Sequence, residues 1–170
     1  MGPQTYKRLF ELMLRLRANI IWPAMHDVSP GFFTVKGNKE MADSFGILIG
    51  TSHCEPLLRN NVAEWNVKER GAYNYITNRD AVRRYWADRL KEVRGSEEFF
   101  TIGMRGIHDG AMEGVKTPEE KLNGLQQVID DQRELIRKYY SKDVEKVPQV
   151  FIPYKEVLEI YESGMGCLTT

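Results

Sequence analysis

The sequence predicts an α/β fold in which short parallel strands alternate with amphipathic helices. Four short apolar runs are spaced along the chain, and each is too short for a globular helix but suits a strand that is buried on both faces. Longer stretches with helical periodicity separate these runs. The resulting α-β-α-β-α-β-α-β-α order favours a parallel sheet.

The predicted strands are dense in Ile, Val, Phe and Leu. They are Ala18–Met25, Phe45–Thr51, Phe99–Met104 and Pro148–Pro153. A doubly wound sheet and a (β/α)₈ barrel both fit this order, and four β/α units would make about half of a barrel that needs about 250 residues. No G-x-G-x-x-G or G-x-x-x-x-G-K-[ST] motif follows a strand, which disfavours nucleotide binding.

The predicted helices lie between the strands. They span residues 4–17, 38–45, 79–94 and 117–140, and one more follows the fourth strand. The clearest start is at Thr117, which is a good N-cap, because Pro118 fits the first turn and Glu120 completes a capping box.

The charge balance argues against large anionic partners. Lys and Arg total 24, and so do Asp and Glu, so no net field favours nucleic acid or an anionic membrane. The chain has no apolar run of about 18 residues and no visible signal peptide. Cys54 and Cys167 lie far apart, which predicts neither a metal site nor a disulfide framework. We therefore predict no nucleic-acid partner, no membrane partner, no metal and no cofactor.

Polar side chains follow every predicted strand. Because the carboxyl ends of parallel strands share one face, ligands and catalytic groups collect there. Trp22 and Trp65 could add an aromatic wall to this face. The polar residues are His26, Asp27, His53, Cys54, Glu55, Arg59, Asn60, Asn61, Arg105, His108, Asp109, Tyr154, Lys155 and Glu156. Carboxylates, amides and aromatic rings together suit a sugar ligand.

Cleavage of a glycosidic bond needs one carboxylic acid and a second carboxylate, and Glu55, Asp109 and Glu156 are the candidates. Each also has a structural interpretation. Glu55 precedes Pro56 and could start a helix, Asp109 precedes Gly110 in a turn signal, and Glu156 could be a solvated residue in a first helical turn. A metal site built on the histidines is disfavoured, because they lack compact ligand spacing.

Five segments resemble glycoside hydrolase family 115, and together they extend over most of the chain. They are Trp22–His26 (WPAMH), Gly50–Asn61 (GTSHCEPLLRNN), Tyr75–Asp80 (YITNRD), Thr101–Met112 (TIGMRGIHDGAM) and Pro148–Leu158 (PQVFIPYKEVL). The resemblance implies an inverting xylan α-1,2-glucuronidase with a (β/α)₈-type catalytic domain. It also implies a glucuronoxylan substrate, a homodimeric full-length protein, and a location outside the cytoplasm or in the periplasm.

The same resemblance assigns roles to residues. Arg105, Asp109 and Glu156 look like family residues needed for activity, and the acid and base roles are left undivided between Asp109 and Glu156. Arg105 would meet the carboxylate of the uronic acid with two parallel hydrogen bonds. Glu55 stays a third catalytic candidate and is placed in the substrate pocket. His53 belongs to the same substrate pocket. The remaining substrate-binding candidates are His26, Asn60 and His108.

The resemblance further implies that residues 1–170 are a fragment of one catalytic domain, a partial (β/α)₈ TIM-type barrel of about four β/α units. We expect residues 165–170 to be a truncated or non-native tail, and the isolated stretch to have little activity. Three other hypotheses remain open. They are a different carbohydrate-active barrel hydrolase, a non-catalytic sugar-binding module, and a metal-dependent hydrolase.

Overall fold

The strands of the computed structural model, which describes residues 1–162, all lie inside the predicted apolar runs. They are β1 (Ile20–Ile21), β2 (Leu48–Ile49), β3 (Phe100–Ile102) and β4 (Gln149–Phe151). The mixed α/β content is therefore confirmed. The predicted tail at residues 165–170 lies outside the described residues.

The strands pair in parallel. β1 pairs with β2, with Ile20 opposite Leu48, and β3 pairs with β4, with Thr101 opposite Val150. Within residues 1–162 these pairs are two separate two-stranded sheets. They do not form a continuous barrel wall, so the half-barrel architecture stays a prediction.

Two hydrogen bonds join the sheets. The backbone N–H of Phe99 donates to the carbonyl of Ile49 at 3.3 Å, and the Thr101 hydroxyl donates to the carbonyl of Thr51. Neighbouring strands therefore follow the order of the chain. In this order the carboxyl ends of all four strands face one side, which is where the polar side chains gather.

The long helices begin and end within a few residues of their predicted limits. The helices are α1 (Pro3–Arg15), α2 (Asn38–Phe45), α3 (Asn61–Glu64), α4 (Val67–Arg70), α5 (Arg79–Glu92), α6 (Pro118–Tyr139) and α7 (Glu156–Glu162). The capping box of α6 is confirmed, because Thr117 Oγ1 accepts a hydrogen bond from the Glu120 amide and Glu120 accepts one from the Thr117 amide. No helix within residues 1–162 is long and apolar enough to cross a membrane.

Aromatic side chains fill the core around α5. Trp86 and Tyr85 are fully buried, and Trp65 packs edge-on against Tyr73 and Tyr85 with ring centroids about 5 Å apart. Trp65 is therefore a core residue and does not supply the predicted aromatic wall. Trp22 is exposed and remains available for that role.

One buried carboxylate joins α5 to α6. Asp131 on α6 accepts hydrogen bonds from Tyr75, from Arg79 and from Arg83. Burial alone would raise the pKa of Asp131, but the hydrogen bonds from Arg79, Tyr75 and Arg83 outweigh it and lower the pKa to about 2. The ionised form of Asp131 therefore stabilises the fold.

An Asp131→Asn substitution is expected to lower the free energy of unfolding at pH 7 by about 1–2 kcal/mol, since the lost charge no longer pairs with Arg79 and Arg83. Because the folded pKa lies below the unfolded value, this contribution is present above about pH 4 and is lost as the pH falls towards 2. Urea unfolding at pH 7 and pH 3 measures it. The exposed neighbour Asp130, changed to Asn, is the control. An equal loss at both pH values would contradict the prediction.

Candidate active site

A buried guanidinium joins the segments that follow β3 and β4. The Arg105 side chain is only 3% exposed, and its Nε and Nη2 donate to Glu156 Oε1 and Oε2 at 2.9 and 2.7 Å. Its Nη1 donates to Asp109 Oδ1. Two parallel bonds between a guanidinium and a carboxylate fix both groups in direction as well as in distance. Arg105 thus holds two predicted catalytic carboxylates in one cluster.

A tight turn brings Asp109 back onto Arg105. The Gly106 amide donates to the Gly110 carbonyl at 2.9 Å, and a Cβ at Gly106 would lie 2.5 Å from the Ala111 carbonyl oxygen, so only glycine fits there. His108 adopts the left-handed conformation with φ of 54°. The turn accounts for the backbone of Asp109 but not for the contacts of its side chain.

The Asp109 carboxylate has two further basic neighbours. Lys155 donates to Oδ2, and His53 Nε2 lies 3.2 Å from Oδ1. The His53 ring is held in turn by the Ser52 hydroxyl, 2.8 Å from Nδ1. Hydrogen bonds from Lys155, then His53, then Arg105 hold the pKa of Asp109 well below its ordinary value. Asp109 is therefore ionised at neutral pH.

Glu156 is the first residue of α7, but it is not a solvated helix residue. Its side chain is half-buried and makes both hydrogen bonds to the Arg105 guanidinium. Burial raises the pKa of Glu156, but the bonds from Arg105 outweigh it, so the net pKa lies below its ordinary value. Both carboxylates of the cluster are thus anions.

Glu55 lies apart from this cluster. It precedes the short 3₁₀ helix Pro56–Leu58 without capping it, and it is 4% exposed. It lines a small cavity with Pro23 and Ala24 of the loop after β1 and with Glu64 of α3. Burial, and then the charge of Glu64, raise the pKa of Glu55 to about 8. Glu55 is therefore a neutral acid at pH 7.

A Glu55→Gln substitution is expected to stabilise the protein at pH 8 by about 2–4 kcal/mol. Because the folded pKa of Glu55 is raised from 4.5 to about 8, its neutral form favours folding below pH 4.5, and this advantage is lost as the pH rises towards 8. Glutamine stays neutral throughout. Unfolding in urea at pH 5 and pH 8 measures the difference, which should be small at pH 5. A variant that is less stable at pH 8 would contradict the expectation.

Three predicted substrate-binding residues lie in different settings. Asn60 is buried, and its Oδ1 accepts the Ala63 amide at 2.9 Å, so its side chain caps α3. His26 is exposed, His108 is half-buried, and their rings lie 5.6 Å apart beside the loop that carries Asp109. The two histidines therefore lie beside the Arg105 cluster. Asn60 caps a helix, and its role in substrate binding stays a prediction.

The sequence places Lys155 and Tyr154 on the face at the carboxyl ends of the strands but assigns neither a role in the site. Lys155 contacts Asp109, and the exposed Tyr154 ring lies 4.3 Å from the His53 ring. Their position directly before Glu156, at the end of a strand, predicts that face, but it does not predict these contacts with Asp109 and His53. Within the described part of the chain, no group of three or more His, Cys, Asp or Glu side chains could hold a metal ion.

Cys54 is the buried thiol beside the site. Burial, and then the charge of Glu55, raise the pKa of Cys54 to about 11. Its Sγ lies 3.6 Å from Met25 Sδ. A thiol in this setting stays protonated, so it is a packing residue and not a nucleophile.

Two anionic carboxylates on one guanidinium, and a neutral carboxylic acid on the segment after β2, are the kinds of group that glycoside hydrolases use as base and acid. The model of glycosyl hydrolase family 115 matches residues 1–168, so the chain belongs to this family.

A solved structure of a member of the same family is also similar to this chain. The chain is similar to BtGH115A, described as "a novel family GH115 4-O-Methyl-alpha-glucuronidase" with specificity for decorated arabinogalactans, with 56% sequence identity and a TM-score of 0.91. The match covers 96% of this chain and 22% of that one, so this chain spans about a fifth of the length of its relative. No curated protein matches the chain.

Proposed function

We propose that the protein removes α-1,2-linked glucuronic acid or 4-O-methylglucuronic acid from xylan, and that residues 1–170 are part of its (β/α)₈-type catalytic domain. The single observation that carries this proposal is the Arg105 cluster with its anionic Asp109 at the carboxyl ends of the strands. Membership of the family and the chain order of the parallel strands support it.

The proposed reaction inverts the anomeric carbon. Asp109 takes a proton from a water molecule, whose oxygen attacks the anomeric carbon while the glycosidic bond breaks on the opposite face. A carboxylic acid gives its proton to the departing sugar oxygen. Asp109 is the proposed base because it is anionic, but its basic neighbours make it a weak base until one of them releases it. Glu55 is the proposed acid because it lies on the segment after β2, at the carboxyl ends of the strands, and its pKa of about 8 keeps it protonated at neutral pH. Glu156 fixes Arg105, which in turn orients Asp109.

If Glu55 is the acid, the Glu55→Gln variant should differ from the wild-type protein in kcat as well as in stability. Without a proton to donate, it should lose about 10²–10⁴-fold in kcat on substrates with poor leaving groups. The wild-type kcat should fall as the pH rises through about 8, where Glu55 loses its proton. An unchanged kcat in the variant would remove Glu55 from the reaction.

A second substrate is favoured by the relative. BtGH115A is described as specific for decorated arabinogalactans. An arabinogalactan that carries glucuronic acid is therefore the alternative polymer, and the cluster at Asp109 would act on it in the same way. Release from both polymers, compared at equal uronic acid content, separates the two substrates.

The decisive assay uses the protein at its full natural length on glucuronoxylan. Chromatography should detect free 4-O-methylglucuronic acid, and proton NMR should show the β-anomer first. Early appearance of the α-anomer would refute inversion. Release of neutral sugars alone would favour a different carbohydrate-active hydrolase, and binding without any release would favour a sugar-binding module.

We also propose, from the family resemblance, that the full-length protein is a homodimer and meets its substrate outside the cytoplasm or in the periplasm. Light scattering on the purified full-length protein tests the dimer. Fractionation of the source cells tests the location.

A further inference from the structure

Arg105 has no free face for a substrate. Its side chain is 3% exposed, and Nε, Nη1 and Nη2 each already donate to a carboxylate of the protein. Two of the five N–H groups of Arg105 take no part in these bonds, but the burial of the side chain keeps them from a ligand that arrives from solvent. The carboxylate of the substrate therefore needs another cation.

Lys155 is the accessible cation of the same cluster. Its side chain is 49% exposed, and it contacts Oδ2 of Asp109, whereas the buried Arg105 contacts Oδ1. A lysine ammonium has three donors on a flexible four-carbon stem, so it can leave one carboxylate for another without a change in the fold. Lys155 also adopts a left-handed backbone conformation with φ of 49°, which is costly for a residue with a side chain and is retained where position matters.

An aromatic ring lies beside this cation. Tyr154 is 42% exposed, and Lys155 Nζ lies 5.5 Å from its ring centroid. The other side of the group is bounded by His53, whose ring is 4.3 Å from Tyr154. A sugar ring packs well on an aromatic side chain, and a carboxylate pairs with an ammonium. A sugar that carries a carboxylate matches both features.

We propose that Lys155 selects uronic acids by transferring its ammonium from Asp109 to the carboxylate of the bound sugar. This inference rests on the proposed function. In the free protein Lys155 neutralises Asp109, whereas in the complex Asp109 keeps Arg105 and His53 but loses Lys155, and so becomes a stronger base. A neutral sugar leaves Lys155 on Asp109. A uronic acid therefore gains an ion pair with Lys155, and its binding also makes Asp109 a stronger base for the attacking water.

A Lys155→Met substitution in the full-length protein tests the exchange. With 4-nitrophenyl α-D-glucuronide, KM should rise about 10–100-fold, while kcat changes less than KM, because the variant loses a charge-assisted contact to the substrate. The preference for the glucuronide over 4-nitrophenyl α-D-glucoside should fall by a similar factor. Lys155→Arg should restore part of both. The matched control is Lys146→Met, since Lys146 is 85% exposed and, in the described contacts, pairs only with the nearby Asp143, which is not part of the Arg105 cluster.

The outcomes separate this inference from the proposed function. If the wild-type protein releases uronic acid and Lys155→Met keeps its KM and its preference, Lys155 has no selective role and the function stands. If the wild-type protein releases no uronic acid from any substrate, both ideas fail. Calorimetric binding of glucuronate and glucose to Lys155→Gln gives a second measurement that does not depend on turnover. An unchanged glucuronate affinity in that variant would also overturn the inference.

Discussion

An Arg105→Ala variant of the full-length protein is expected to lose about 10²–10³-fold in kcat on glucuronoxylan, while its KM changes little. The reason is geometric. Arg105 donates to both Asp109 and Glu156, and without it the two anions repel each other and the base leaves its position. Arg105→Lys should recover only part of kcat, because a point charge cannot make two parallel bonds.

The Arg105→Ala variant should also be less stable than the wild-type protein. Loss of one member of a buried charged group leaves its partners unpaired, which costs about 3 kcal/mol or more. The control is Arg15→Ala, which removes the exposed ion pair between Arg15 and Glu11. This substitution should lower the free energy of unfolding by less than about 1 kcal/mol and leave kcat unchanged. A rise in KM at constant kcat would instead place Arg105 on the substrate carboxylate, as the family resemblance implies.

An Asp109→Asn variant is expected to lose about 10²–10⁴-fold in kcat, because an amide cannot take the proton from water. The substitution keeps the size of the side chain and an oxygen that can accept the hydrogen bond of Arg105. The free energy of unfolding at pH 7 should therefore change little, even though kcat falls steeply. Initial rates on glucuronoxylan together with thermal unfolding measure both effects.

A matched control is available for this test. Asp143 is an exposed aspartate that pairs with Lys146, and Asp143→Asn should leave kcat unchanged. Sodium azide adds a further readout, because it can attack the anomeric carbon without a base and should restore turnover of an activated aryl glucuronide in Asp109→Asn. Full kcat in the untreated Asp109→Asn variant would remove Asp109 from the reaction.

The positions of the strands could be predicted because they depend on local patterns. Short apolar runs mark β1 to β4, and the capping box marks the start of α6. The β/α order alone could place Arg105, Asp109 and Glu156 on one face, at the carboxyl ends of the strands. Their mutual pairing could not, because 51 residues separate Arg105 from Glu156 and only the packed fold brings them together.

Other features depended on tertiary contacts that a sequence pattern does not contain. Trp65 is buried by Tyr73 and Tyr85 from outside its own segment, so its spacing after a strand was misleading. The amide of Asn60 is a helix cap, a role that short polar residues also fill without any ligand. Lys155 could be placed on the face at the carboxyl ends of the strands but could not be given a role, because its partner, Asp109, lies 46 residues earlier in the chain.

The shared guanidinium also constrains how this site can change over generations. Because Asp109 and Glu156 depend on the same side chain, the effect of replacing one depends on whether the other is present. Single replacements leave an unbalanced charge in a buried setting, so a lineage that exchanged the group would pass through inactive or unstable intermediates. We therefore expect the three positions to depend on one another in evolution and to change together.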